Sequence, residues 1–159
     1  VIVDHPNRGG IRMKISTRGR YGVRALFDLA YCGRQPEQIR KIAERQEIPP
    51  RYLEQIFQRL KKAGIIHTRR GAKGGYLLGR SPAEITVADV VQVTDGPLVA
   101  VVCGESRKNG HCHRADDCVI KPIWDEAGKR LSDYLRSVTL ADLCERYEKR
   151  KNPPGVTED

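Results

Sequence analysis

The dipeptide Pro49-Pro50, set in EIPPRYLEQIFQRLKKAG, is the hardest local constraint in this chain. Proline has a fixed φ and no amide proton, so it is excluded from a helix interior but suits a turn or the first helical position. Behind it, Leu53, Ile56, Phe57 and Leu60 recur at helical spacing and give residues 51–64 one apolar face, ended by Gly64. A turn followed at once by a strongly amphipathic helix is therefore predicted. Upstream, QIRKIAERQE (38–47) places Ile39, Ile42 and Ala43 on the inner side of a short helix. Before that, TRGRYGVRALFDLAYC (17–32) spaces Tyr21, Ala25, Leu26, Leu29 and Ala30 along a first helix. Thr17 is its expected N-cap, and Gly33 and Pro36 end it.

After Gly64 the period changes. IIHTRR (65–70) and GYLLGR (75–80) are short β-like runs separated by GAKG, which reads as a hairpin. Helix, turn, helix and basic hairpin together make the layout of a winged helix. From Ile85 the sequence returns to helix. ITVADVVQVTDG offers Thr86 as N-cap, Asp89 three residues later, and an apolar face of Val87, Val90 and Val91, ending at Gly96. KPIWDEAGKRLSDYLRSV (121–138) is a longer amphipathic helix carrying Ile123, Trp124, Ala127, Leu131, Tyr134 and Leu135. Such a stripe can serve as intramolecular core or as a seam for another chain. Thr139 is the expected cap of a last short helix, LADLCERYEKR, and KNPPGVTED reads as a frayed tail.

The formal net charge is +9, and its distribution is the informative part. Residues 1–80 hold 18 Lys and Arg against 6 Asp and Glu, whereas residues 81–159 hold 11 against 14. The basic excess thus belongs to the helix–turn–helix half, as a polyanion-binding module requires. No run approaches the roughly 18 apolar residues of a membrane span. The opening VIVDHPNRGGIRM is too polar for a secretory signal, so a cytoplasmic location is expected, and residues 1–12, before Met13, read as a disordered or upstream extension.

Double-stranded DNA is the expected polyanion. In a helix–turn–helix the second helix offers its N-terminal side chains to base edges. Here Arg51, Tyr52, Glu54 and Gln55 are the candidates. Arginine can fork onto guanine, glutamine can pair with adenine and glutamate can accept from cytosine. Arg59, Lys61 and Lys62 further along, with Thr17, Arg18 and Arg20 at the first helix, suit the phosphate backbone. Arg69, Arg70 and Lys73 at the hairpin add to it, where glycines allow close approach to a phosphate strand or a narrow minor groove. RNA is a weaker fit, because two Phe and one Trp make no stacking surface.

Five cysteines remain to be explained. Cys32 and Cys144 lie in apolar-periodic segments and are expected to be small core residues. Cys103, Cys112 and Cys118 share one polar segment, CGESRKNGHCHRADDC, with His111 and His113. An odd cysteine count in a reducing compartment argues against a disulfide framework. Iron–sulfur ligation, a Cys₃His zinc site and a metal-free thiol switch beside Arg107, Lys108 and Arg114 are the chemistries open to such a segment. An enzyme built on Cys112 with a neighbouring histidine is disfavoured, since no oxyanion-forming motif accompanies it.

RGRYGVRALFDLA, IAERQEIPPRYLEQIFQRLKKAGII and RRGAKGGYLLGR closely resemble the Rrf-type winged-helix regulators that include IscR, NsrR and CymR. The likeness runs from Met13 to about Tyr147. It implies a DNA-binding transcriptional regulator, a repressor by expectation, that acts as a homodimer through the helix at 121–137. It also implies that Cys103, Cys112 and Cys118 hold an iron–sulfur cluster, [2Fe-2S] or [4Fe-4S]. The chain departs from that pattern in two places. Its spacing is C-x8-C-x5-C rather than C-x5-C-x5-C. The positions that supply a fourth ligand in IscR-like and NsrR-like members are Lys121 and Arg20 here. His113 or His111 is the expected substitute, with Glu105, Asp116 and Asp117 as further local donors and a residue of the other subunit as the remaining alternative. CymR-like members lack this triad and imply instead a cluster-free regulator controlled by a protein partner. The expected organisation is a winged-helix domain at 13–82, a linking helix at 83–98 and a cysteine-rich segment at 99–120. A dimerisation helix with a short C-terminal helix follows at 121–150, then a tail at 151–159. The fold class expected is mainly α with a small β-hairpin.

Overall fold

The computed structural model describes residues 15–33, 35–97 and 117–152. Its elements follow the order α1 (Thr17–Tyr31), α2 (Ile39–Arg45), α3 (Pro50–Lys62), β1 (Ile66–Arg69), β2 (Gly75–Leu78), a 3₁₀ turn (Pro82–Glu84), α4 (Val87–Asp95), α5 (Lys121–Arg136) and α6 (Leu140–Lys151). The expected mainly helical winged-helix architecture is the one observed. The 3₁₀ turn, closed by a reciprocal Ser81–Glu84 capping box, was not anticipated.

Helix ends account for much of the geometry. Ser16, not Thr17, caps α1: the Ser16 Oγ accepts from the Gly19 amide at 3.2 Å, and Thr17 is the first helical residue. Thr86 and Asp89 form the expected reciprocal box at α4, with bonds of 3.0 and 3.1 Å, and Thr139 and Asp142 repeat it at α6. The two caps are also joined. The Val87 amide donates to the Val138 carbonyl at 2.8 Å and the Leu140 amide to the Ile85 carbonyl at 2.9 Å, so α4 and α6 start from one short bridge.

The turn between α2 and α3 is built by a Schellman closure. The Ile48 amide donates to the Ala43 carbonyl at 2.9 Å and the Glu47 amide to that of Glu44 at 3.2 Å. Glu47 sits at φ 51°, the left-handed region in which glycine is the usual occupant. Buried Ile48 plugs the turn, and Pro50 opens α3 as its first helical residue. This fixes the angle at which α3 is presented.

The hairpin pairs Ile66 with Leu78 through Arg69 with Gly75, antiparallel. It does not stand free. Tyr76 and Glu37 exchange backbone bonds of 2.8 and 3.0 Å, which ties β2 to the segment between α1 and α2. A Cβ on Gly75 would lie 2.5 Å from the Glu37 carbonyl oxygen, so this glycine serves the chain's own backbone contact.

The main core gathers Ala25, Leu26 and Leu29 of α1, Ile42 of α2, the whole Leu53, Ile56, Phe57, Leu60 face of α3, Ile66, Val90 and Leu140. At roughly 25 cal/mol per Å² of apolar surface, each such leucine or phenylalanine contributes about 1.5–3 kcal/mol. A smaller cluster seats Leu135 and Val138 under Val87, Ala88 and Val91. α6 lies along α1, where Tyr147 stacks edge-on against Phe27 and Tyr31 with centroids 5.4 and 4.9 Å apart.

Two expectations about core residues fail. Cys32 is exposed at the end of α1, because the helix stops there and turns its last side chain to solvent, and Cys144 is only half-buried. Along α5, only Leu135 of the apolar stripe is buried, whereas Ile123 (61% exposed), Trp124 (40%) and Tyr134 (59%) face outward. Within one chain the stripe is therefore divided: Leu135 and the half-buried Leu131 join the smaller cluster, whereas Ile123, Trp124 and Tyr134 are left uncovered. No helix among the described residues is long and apolar enough to cross a membrane.

Candidate nucleic-acid interface

The strong segregation of α3 creates the site. Its apolar side chains are fully buried, so Arg51, Glu54, Gln55, Gln58, Arg59, Lys61 and Lys62 are all exposed. Tyr52 is the exception. It is half-buried and meets Tyr21 edge-on at 5.9 Å, against the main core, so its ring lies on the packed side of α3 and not on the open face expected for a base contact. Gln58, which the sequence reading omitted, belongs to the open face.

An ion-pair network ties α1 to α2. Asp28, 5% exposed, accepts from the Arg45 Nη2 at 2.7 Å and Nε at 3.1 Å, and from the Gln46 side-chain Nε2 at 3.0 Å. Glu37 accepts from the same Arg45 at 3.1 Å. The hydrogen bond to Asp28 pushes the Arg45 pKa further up, so this cation keeps its charge at every working pH. The network joins the helix pair to the Glu37–Tyr76 bridge and so to the hairpin.

At that hairpin Arg69, Arg70 and Lys73 are exposed around a turn in which the Gly74 amide donates to the Gly71 carbonyl at 2.9 Å. Thr17 and Arg20 are exposed at the start of α1, where the Arg20 guanidinium donates to the Thr17 hydroxyl at 3.2 Å. Arg18 is half-exposed. With Gln55, Gln58, Arg59 and Lys62 of α3 it lines an open cleft of about 700 Å³ between the start of α1 and the outer face of α3. Asp95, the last residue of α4, is the acid beside it, with Oδ1 3.7 Å from the Arg18 Nε. Nothing in the sequence around Asp95 marks it for this place, because Arg18 and Ser16 lie far from it along the chain.

The cysteine segment is only partly within view. Cys103, Cys112, His111, His113, Glu105 and Asp116 lie outside the described residues. Cys118 is a half-buried free thiol and Asp117 is exposed, both just before α5. Among the described residues no three His, Cys, Asp or Glu side chains gather as a metal site.

Comparison with known proteins gives this arrangement its context. The model of the Rrf2 family, described as iron-dependent transcriptional regulators, matches residues 15–146. Protein rrf2 of Nitratidesulfovibrio vulgaris is 43% identical over 132 residues, covering 82% of this chain and 87% of that protein. The solved IscR of T. potens is 38% identical with a TM-score of 0.76, covering 92% of this chain and 97% of its own. CymR of B. subtilis, described as its global cysteine regulator, is 34% identical with a TM-score of 0.69, covering 84% and 97%. Proteins of this kind are DNA-binding regulators and not enzymes, and on sequence and fold together the chain belongs to the Rrf2 family of transcriptional regulators.

Proposed function

We propose that the protein is a cytoplasmic homodimeric repressor that reads duplex DNA with α3 and the hairpin, its affinity set by an iron–sulfur cluster. The observation that carries the reading is the division of α3 into a fully buried apolar face and an unbroken polar, basic one beside the exposed cations of the hairpin. Arg51, Glu54 and Gln55 read base edges, with Tyr52 supporting them from the packed side. Thr17, Arg18, Arg20, Arg59, Lys61, Lys62, Arg69, Arg70 and Lys73 hold the phosphates. The exposed Ile123, Trp124 and Tyr134 of α5 supply the seam with a second copy, because a stripe of this size left in water is unfavourable.

Cys103, Cys112 and Cys118 are the residues that would hold the cluster, with His113 or His111 completing the set. This donor set fits: three thiolates are the preferred ligands of iron–sulfur iron, and imidazole can make up the fourth. When bound, the group would supply a centre sensitive to iron supply and oxidants. The chain's own part is Cys118, immediately before α5, through which the occupied segment would bias the seam.

The test is anaerobic purification with visible spectroscopy between roughly 320 and 600 nm and assays of iron and sulfide, followed by duplex selection and anisotropy titration with and without cluster. Iron, sulfide and two different affinities are expected. Equal affinity in the two states would remove the switch. The wider cysteine spacing and the likeness to CymR favour one other reading, a cluster-free regulator governed by a protein partner, zinc or thiol oxidation. A colourless protein that still binds its duplex would select it.

A further inference from the structure

We propose that Asp95 is an internal competitor for the DNA phosphate that the cleft between α1 and α3 accepts, and thereby sets how much of Arg18 is available to DNA. This rests on the DNA-binding reading above.

Asp95 stands beside the cleft, on Arg18 and at the start of α1, where it offers Arg18 a negative charge of the chain's own. Its carboxylate accepts the Ser16 amide at 3.0 Å and the Ser16 hydroxyl at 2.5 Å, directly at the start of α1, where the helix dipole favours negative charge. Gly19 makes the approach possible, because a Cβ there would lie 2.7 Å from Asp95 Oδ2. The contact is thus built into the packing of α1 against α4 and is not a chance meeting of long side chains.

Its hold on Arg18 is incomplete. At 3.7 Å the pair is electrostatic with no hydrogen bond, and the Arg18 Nε is buried without a hydrogen-bond partner among the described residues. A buried donor left in that state favours any acceptor that can reach it. Arg18 is 36% exposed toward the cleft, where Arg59 and Lys62 supply two further cations and the carboxamides of Gln55 and Gln58 supply neutral donors. A phosphate oxygen seated there would meet donors from two elements, and its attraction to Arg18 would be opposed by the Asp95 charge alongside. Asp95 ends α4, immediately before the segment that leads to the cysteines. A shift at that point would change the competition without altering α3.

The test is a cycle of Asp95→Asn, Arg18→Gln and the double variant in the full chain. Asparagine keeps an oxygen for the Ser16 amide, and equal urea midpoints verify the fold. Two readouts are taken: duplex affinity against salt, and the Arg18 side-chain Nε–H signal by NMR during titration with inorganic pyrophosphate. Asp95→Asn is expected to tighten duplex binding about three- to tenfold at low salt and to steepen the salt dependence by up to about one ion. On the Arg18→Gln background its effect should fall within about twofold. The Arg18 signal should respond to pyrophosphate at lower concentration in Asp95→Asn than in wild type. An equal gain on both backgrounds would reduce Asp95 to a distant charge, and looser binding would make it a purely structural clamp; either overturns the proposal. Pyrophosphate midpoints that do not differ overturn it even if DNA binds. The expected pyrophosphate difference in a chain that binds no duplex would refute the DNA reading instead.

Discussion

Gly19→Ala has two opposed effects whose sizes can be compared. Alanine is favoured over glycine in a helix by about 1 kcal/mol, and somewhat less in the first turn. Against this, the new methyl lies 2.7 Å from Asp95 Oδ2 and 2.9 Å from the Ile15 Cγ2, where ordinary contact begins at 3.4 Å. The carboxylate must withdraw, which lengthens both of its bonds to Ser16 and unsettles the cap of α1. Overpacking of this kind costs about 1–3 kcal/mol, and loss of an N-cap about 1 kcal/mol. The net expectation is a loss of about 1–3 kcal/mol. Gly22→Ala is the internal comparison: there the methyl lies 3.1 Å from the Thr94 Cγ2 and 3.2 Å from the Val90 Cγ1, a strain that small shifts relieve, so the propensity gain roughly cancels it. Urea unfolding followed by circular dichroism, at one fixed protein concentration, measures both. Gly19→Ala equal to or more stable than wild type would refute the close approach of Asp95, and the helix–helix contact with it.

Other outcomes follow from the turns and charges. Glu47→Gly should stabilise the fold by about 0.5–1 kcal/mol, since Glu47 holds a left-handed conformation at φ 51°, and a fall in the unfolding midpoint would show that its side chain outweighs the backbone cost. Arg69→Gln or Lys73→Gln should weaken binding to all duplexes alike and lower the salt slope by about 0.9 each, whereas Gln55→Ala should change the ranking of duplexes. The Thr139 amide and hydroxyl donate to Asp142 and hold its carboxyl below the usual aspartate value. Its folded pKa being the lower one, its contribution is complete above the unfolded value of about 3.9 and fades as the pH falls through the folded value. Thr139→Ala should return the Asp142 carboxyl titration, read by NMR, toward 3.9.

The backbone plan was legible because its signals are local: the Pro49-Pro50 turn, the α3 stripe and the Thr86 and Thr139 boxes each depend on residues within one or two turns. What escaped depends on pairs far apart in sequence. Nothing near Gly19 or Asp95 reveals that a carboxylate 76 positions away closes over the helix start. Tyr52 looked outward because its neighbours Arg51 and Glu54 do, and only the position of Tyr21 turns it inward. Cys32 looked apolar by periodicity, but the helix ends there. The α5 stripe was correctly seen as apolar, although periodicity cannot say whether its partner belongs to the same chain.

The bridge between the starts of α4 and α6 has a further consequence. Leu140 completes the main core, and Leu135 and Val138 pack beneath α4, so the last turn of α5 and the first turn of α6 are seated on the same body as α4. Prising the two caps apart would leave the Val87 and Leu140 amides unpaired at buried positions, at a cost of about 1–3 kcal/mol for each. A force or displacement applied along α5 is therefore delivered to the starts of α4 and α6 together, and not to either helix alone.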